Sequence, residues 1–357
     1  MRPLTRSLAL LGAMLSLGCS LLGGVQVETV DVSVQKPSNV ALYVEVTDGD
    51  EPVTNLEPKH FKVYENGELL SPRQIGRTLL PAETVTDQEV LLLMDLSNDP
   101  APDQRELHAR SAEAFVRKLV PSVPVRVRAY DGGPTLLTVA DFPRGSTRVA
   151  VPELTRIKSR DASRNLNGAI TLGLAALDGR KSGKPIKLGT LVVFARGPDL
   201  AGRVSDEALS DALHSTKSEV LGIVIGPDTN ELDFLPGSVV HAQDGDALPI
   251  AFEEAGSRVA ALHAKYYLVA YCSPARAGQR SVRVEVVYTD IEGKEKSGST
   301  AYELDANGFS AGCKPESLPR FEHPPEPQKG DAPKKGDAPA EPEPGVVAPP
   351  PGGDYAK

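Results

Sequence analysis

Residues Glu89 to Asp99 read EVLLLMDLSND, and three oxygen-bearing side chains in this stretch, Asp95, Ser97 and Asp99, stand at alternate positions. Carboxylate and hydroxyl oxygens are the donors that a hard divalent cation such as Mg²⁺ needs, in near-octahedral geometry at about 2.1 Å. Before them runs an uninterrupted apolar segment, Val90 to Met94, the pattern of a strand buried on both faces of a parallel sheet. After them a helix is predicted from Asp103, with Leu107, Phe115 and Leu119 at helical spacing on one face. Strand, polar loop and helix in that order place the oxygens at the carboxyl end of a parallel strand, where open α/β sheets bind their ligands.

Further elements must position this loop. Val123–Tyr130, Leu136–Ala140, Leu191–Ala195 and Val220–Ile225 read as strands, and Asn165–Leu177 as an apolar helix. Ser205 is a helix N-cap with Glu207 in the first turn. Asp246–Ala264 is another helix, with Leu248, Phe252, Ala255, Val259 and Leu262 on one stripe. Strands alternating with helices imply a doubly wound, mostly parallel α/β sheet over residues 88–264. On either side the period changes to two. Val25–Val34 and Val40–Val46 alternate as half-buried strands, and Phe61–Glu65 leads into Asn66-Gly67, a strong hairpin signal. Tyr266–Tyr271, Val282–Tyr288 and a strand ending at Leu304 follow the last helix. The N-terminal β segment (residues 19–87) and the C-terminal one (265–313) are expected to pair into one β-rich unit flanking the α/β domain.

The ends of the chain carry different information. Arg2 and Arg6 precede an apolar run, Leu8–Leu17, too short to span a bilayer, so residues 1–18 read as a signal peptide. Gly18-Cys19 closes that run and resembles a bacterial lipobox, in which the cysteine is acylated and becomes the mature N-terminus; Ser16 departs from the usual aliphatic residue there. Acylation at Cys19 would anchor the chain to a membrane. It also leaves Cys272 and Cys313 as an even pair, which an oxidising envelope favours as a disulfide. From Lys314 to Lys357 the composition shifts: twelve of the 31 prolines fall there and KGDAP occurs twice, so residues 314–357 read as a disordered tail.

Several function classes are excluded by what the chain lacks. A formal charge of −9 with no basic cluster argues against nucleic acid. No Cys-x-x-Cys pair, His-Glu-x-x-His helix, Walker loop or Gly-x-Ser-x-Gly elbow occurs, and the six His are scattered.

Asp95-Leu96-Ser97-Asn98-Asp99 resembles the first motif of the von Willebrand factor type A domain, Asp-x-Ser-x-Ser, with Asp99 replacing the last Ser. The block from Val44 to Ile75 resembles the segment preceding that domain in the bacterial, acidobacterial-type VWFA-related family. In type A domains three loops build a metal-ion-dependent adhesion site. The second motif, Thr-x-Leu-x-x-Ala, aligns with Arg164 to Ala169, so Arg164 stands at the Thr position and Ser163 lies one residue early. The third, Thr-Asp-Gly, aligns with Ala195-Arg196-Gly197, with Arg196 at the Asp position and Asp199 two residues beyond the Gly. A guanidinium has no acceptor and repels a dication. The resemblance therefore implies a degenerate adhesion site without Mg²⁺ or Mn²⁺. Any residual ligation would come from Asp95, Ser97 and Asp99, and Arg196 is expected to face Asp95 in the role of the cation.

These readings converge on an envelope-anchored lipoprotein whose type A-like domain binds a protein partner and catalyses nothing. A periplasmic scaffold or assembly component is the alternative, and a hydrolytic enzyme, which would need a nucleophile–base pair, is the third possibility.

Overall fold

The computed structural model describes residues 24–226 and 229–321. Cys19 and residues 322–357 lie outside the described residues; the expected start of the disordered tail at 314 is corrected, because residues 314–321 pack on an antiparallel sheet, with Arg320 hydrogen-bonded to Ser33 and Phe321 buried. The chain opens with β1 (Val25–Gln35) and β2 (Asn39–Asp48), followed by a short β3 (Glu51–Pro52). Then β4 (Phe61–Glu65) and β5 (Glu68–Leu69) form a hairpin whose two-residue turn is Asn66-Gly67, both with positive φ (50° and 83°), as that turn requires. One helical turn, α1 (Pro72–Ile75), and β6 (Thr78–Leu80) lead into β7 (Thr86–Asp95).

From β7 the pattern is α/β: α2 (Pro102–Leu119), β8 (Val125–Tyr130), β9 (Leu137–Phe142), α3 (Glu153–Arg156), α4 (Leu166–Asp178), β10 (Ile186–Ala195), α5 (Asp206–Ser215), β11 (Glu219–Ile225), β12 (Val239–Ala242) and α6 (Leu248–Ala264). Three strands close the described chain: β13 (Tyr266–Cys272), β14 (Gln279–Thr289) and β15 (Glu295–Asp305).

The six strands of the α/β part form one sheet in the order β12-β11-β10-β7-β8-β9, parallel except for β9. β7 runs through its middle, which explains its unbroken apolar run. Val90, Leu92 and Met94 point into a core with Phe115, Val116 and Leu119 of α2 and Phe252 and Val259 of α6. Leu91 and Leu93 point the other way, against Leu166, Ile170 and Leu174 of α4 and Leu209 of α5. Successive side chains of a strand face opposite sides, so helices on both faces demand apolar residues at every position. At Gly173 a β-carbon would come within 2.8 Å of the Leu191 side chain, so glycine lets α4 sit close on β10.

The remaining strands form two antiparallel sheets. One has the order β1-β2-β13-β6, with β3 on β2, and the other β15-β14-β4-β5. Each sheet therefore combines strands from before and after the α/β part. The two sheets pack through Val40, Leu42, Val44 and Val46 of β2 and Val282, Val284 and Val286 of β14, among others. The alternation in β2 predicts one buried face, but Ala41 and Tyr43 are buried too. They pack with Ile186 of β10, Val85 and Phe321, so this sheet carries a second core beneath the amino ends of the parallel strands.

Lys265, at the step from α6 to β13, ties the two parts together. Its Nζ lies 2.8 Å from Glu45 of β2 and 3.2 Å from Glu219 of β11. Burial pulls its pKa down, yet the two carboxylates outweigh burial and the net shift is upward. Cys272 and Cys313 are joined in a disulfide with Cα atoms 5.8 Å apart, fixing the segment after β15 to the end of β13.

Candidate functional site

The carboxyl ends of the parallel strands lie opposite the antiparallel sheets, and the loop after β7 sits there. β10 is hydrogen-bonded directly to β7, in register from Ile186↔Thr86 to Phe194↔Met94, so Arg196 follows the strand adjacent to Asp95.

Asp95 is fully buried, and both carboxylate oxygens are taken. Oδ1 accepts from the Ser97 N–H at 2.8 Å and the Ser97 hydroxyl at 2.5 Å. Oδ2 accepts from Arg164 Nε at 2.7 Å and from the Arg196 backbone N–H at 2.9 Å. Arg196 faces Asp95 as an ion pair with Nε at 3.9 Å, but the hydrogen-bonded partner is Arg164, which the expectation had not assigned to that role. Arg196 donates through Nη2 to the carbonyl of Ser97 instead.

Arg164 reaches Asp95 from the residue preceding the N-cap of α4. Asn165 is that cap, accepting from the Gly168 N–H at 3.2 Å. Arg164 Nη1 donates to the Pro198 carbonyl at 3.0 Å, and the backbone at Gly197 passes under the guanidinium with φ 150°. A β-carbon at 197 would lie 2.7 Å from Nη1, so glycine there lets the loop close over Arg164. Burial lowers the pKa of Arg196, with Asp95 opposing that effect and Arg164 adding to it.

The other residues singled out from the sequence have partners away from Asp95. Asn98 and Asp99 adopt positive φ (54° and 35°), which turns the Asp99 carboxylate toward Arg105 Nη2 at 2.9 Å and the Ser159 N–H at 3.1 Å. Ser163 donates its hydroxyl to Asp161 at 2.7 Å. Asp199 accepts from the Asn167 N–H at 3.1 Å and the Gly202 N–H at 2.8 Å, so it caps α4 and its own loop.

Two residues escaped the sequence reading. Asp131, buried just beyond β8, accepts from the N–H groups of Gly133 (2.8 Å), Arg160 (2.8 Å) and Asp161 (3.3 Å), and so pins the loop that carries Ser163 and Arg164. Its place at the carboxyl end of VPVRVRAY was the available signal. His108 on α2 packs edge-on to Phe194 with ring centres 5.2 Å apart, and burial, reinforced by Arg196, pushes its pKa down to about 4.

The donor set decides what this edge can hold. Both Asp95 oxygens are engaged by Ser97, Arg164 and the Arg196 backbone, the Asp99 carboxylate is engaged with Arg105, and two guanidinium groups stand beside the loop. A divalent cation needs oxygen acceptors facing one point, so these residues do not fit one.

Compared with solved structures, the chain is similar to a von Willebrand factor type A protein from Catenulispora acidiphila, at 12% identity and TM-score 0.40, over 81% of this chain and 74% of that one. It is also similar to the PilB minor pilin from Streptococcus sanguinis (10% identity, TM-score 0.37, 67% of this chain and 78% of that one). A third is proximal thread matrix protein 1 from the mussel byssus (11% identity, TM-score 0.37), where the match spans about half of each chain, 49%. No protein-family model and no curated protein sequence matches the chain.

Proposed function

We propose that this chain is an envelope-anchored bacterial lipoprotein whose type A-like α/β domain binds a protein partner, with an internal ion pair standing where relatives of the motif hold a metal. The observation that carries the reading is the saturation of Asp95 by Ser97, Arg164 and the Arg196 backbone. A carboxylate already neutralised by arginine gains nothing from a cation. Membrane attachment rests on the Gly18-Cys19 signal. Among the described residues no helix is long and apolar enough to cross a membrane.

A binding role is favoured over hydrolysis by the arrangement of a Ser–His pair on α5, among the described residues. Ser210 and His214 on α5 line a cavity of about 540 Å³ with Leu209, Leu213, Phe234 and Pro236. His214 Nδ1 lies 2.7 Å from the Ser210 carbonyl, which can only accept, so that nitrogen carries the proton. It is therefore unable to take a proton from the Ser210 hydroxyl 3.3 Å away, as a general base must.

Thermal unfolding of the purified protein with EDTA, Mg²⁺ or Mn²⁺ tests the metal-free reading. A species that does not bind cannot stabilise the native state, so the midpoint is expected to stay the same in all three. A rise with Mg²⁺ or Mn²⁺, or metal retained through EDTA dialysis and lost in Asp95→Ala, would overturn it. Crosslinking in the native cell followed by mass spectrometry tests the partner, and adducts are expected on the loops at the carboxyl edge.

A further inference from the structure

We infer that the groove between α5 and the connection from β11 to β12 is a docking site for an amphipathic, cationic helix carried by a protein partner. This surface shares no residue with the partners of Asp95, and the inference goes beyond the reading of that loop.

Topology is the first argument. The parallel steps from β7 to β8 and from β10 to β11 each carry a helix, α2 and α5, as parallel crossovers ordinarily do. The step from β11 to β12 is also parallel, yet the described residues of its connection, 226 and 229–238, form turns and no helix. That connection lies flat on the sheet. Its Leu232 and Leu235 are buried in one core with Leu209 of α5, and a β-carbon at Gly222 of β11 would come within 2.7 Å of the Leu232 side chain. A helix is about 10 Å across, so a step remains between α5 and the flat connection. The step is a groove of about 540 Å³, with an apolar lining of Leu209 and Leu213 from α5 and Phe234 and Pro236 from the connection. Phe234 is 46% exposed. A partner's helix laid there would complete the helical layer that the chain leaves open.

Charge is the second argument, and it chooses among helices. Residues 205–216 hold Asp206, Glu207 and Asp211, and residues 229–238 hold Glu231 and Asp233, with no Lys or Arg in either stretch. Arg203, just before α5, is turned to another loop, donating to the Gly132 carbonyl at 2.6 Å and to Asp161 at 3.1 Å. Lys217 lies beyond the last turn of α5. The neutral polar groups of the groove bring no spare donor. Asn167 gives its amide hydrogens to Asp206 at 2.9 Å and the Val204 carbonyl at 3.2 Å, and His214 spends its Nδ1 proton on the Ser210 carbonyl. Asp206, bonded to a neutral amide, keeps its full charge. Carboxylates around an apolar floor suit an apolar helix face bordered by Lys or Arg, and they repel one bordered by Asp or Glu.

The test uses the full chain and fluorescein-labelled peptides of about 15 residues, long enough for a helix to form, followed by fluorescence polarisation. In the first peptide Leu recurs at i, i+3, i+4 and i+7 with Lys beside it. The second has Glu in place of Lys, and the third scrambles the first so that Leu is spread around the helix. The Lys peptide is expected to bind at least tenfold more tightly than either of the others. Phe234→Ser should cut its affinity by about tenfold, and Asp206→Asn combined with Asp211→Asn should shrink its preference over the Glu peptide. Ser210→Lys, on the exposed wall of α5, places a long cationic side chain in the groove and should abolish binding while leaving the core intact. Ile250→Ser, at an exposed apolar position on α6, should leave binding unchanged. Equal binding of the Lys peptide and either control, full affinity in Phe234→Ser or Ser210→Lys, or an equal loss in Ile250→Ser would overturn the inference. So would a dimer in sedimentation velocity that Phe234→Ser disperses, because the groove would then belong to a second copy of this chain.

Discussion

Replacing Arg164 with Ala removes the one charged hydrogen bond that Asp95 receives, from Nε at 2.7 Å, and leaves a fully buried carboxylate. Breaking a buried ion pair by deleting one partner costs roughly 3–5 kcal/mol, because the survivor keeps its desolvation penalty. Three donors remain on Asp95, from Ser97 and the Arg196 backbone, and a second guanidinium stands 3.9 Å away. The cost should therefore fall at the low end, about 3 kcal/mol. Arg196→Ala is the contrasting perturbation. It leaves the backbone N–H on Oδ2 and removes the side-chain bond to the Ser97 carbonyl, worth about 1 kcal/mol. Urea unfolding followed by circular dichroism, with the disulfide intact, measures both as shifts in midpoint at constant slope. The reasoning is refuted if Arg164→Ala lies within about 0.5 kcal/mol of wild type, the usual span of neutral surface changes, or if Arg196→Ala is the more damaging.

Further outcomes follow from other parts of the molecule. Removing the Cys272–Cys313 disulfide, which spans 41 residues, should lower stability by roughly 2–4 kcal/mol, and alkylation without reductant should find neither thiol. His108 and His263 are both buried, and desolvation first, then Arg196 and Lys265 respectively, holds each pKa down to about 4. Unfolded histidine takes up its proton near 6.5, so the stability from these neutral imidazoles is complete above about pH 6.5 and is lost as pH falls toward 4. A depression of that size corresponds to up to roughly 3 kcal/mol for each; urea midpoints between pH 7 and 4.5 should decline, and His263→Gln should flatten the decline. Cys19→Ala should release the protein from membranes and abolish labelling by palmitate, and a variant that stays membrane-bound and labelled would refute the anchor.

The sequence by itself determined where the central strand lies and which residues end it. An unbroken apolar run can be satisfied only by burial on both faces, so Val90–Met94 announces a sheet covered by helices, and Asp95 must then emerge at its carboxyl end. Local chemistry was equally legible at Asn66-Gly67, where positive φ suits only a few residues, and at the Ser205 N-cap. Three features were decided only by tertiary structure. Period-two alternation in β2 says that one face is buried; that Ala41 and Tyr43 are buried as well, with Leu268 and Ala270 of β13, depends on the α/β part sitting against that face. The partner of Asp95 was also out of reach. Arg164 and Arg196 are equivalent as residue types, and only the folded loops decide that Arg164 bonds Oδ2 through its side chain and Arg196 through its backbone. Likewise, Asp99, Ser163 and Asp199 look like ligands when read along the chain. A polar side chain is claimed by whichever partner the folded loops bring nearest: Asp99 accepts from Arg105 and Ser159, Asp199 accepts from Asn167 and Gly202, and the Ser163 hydroxyl donates to Asp161.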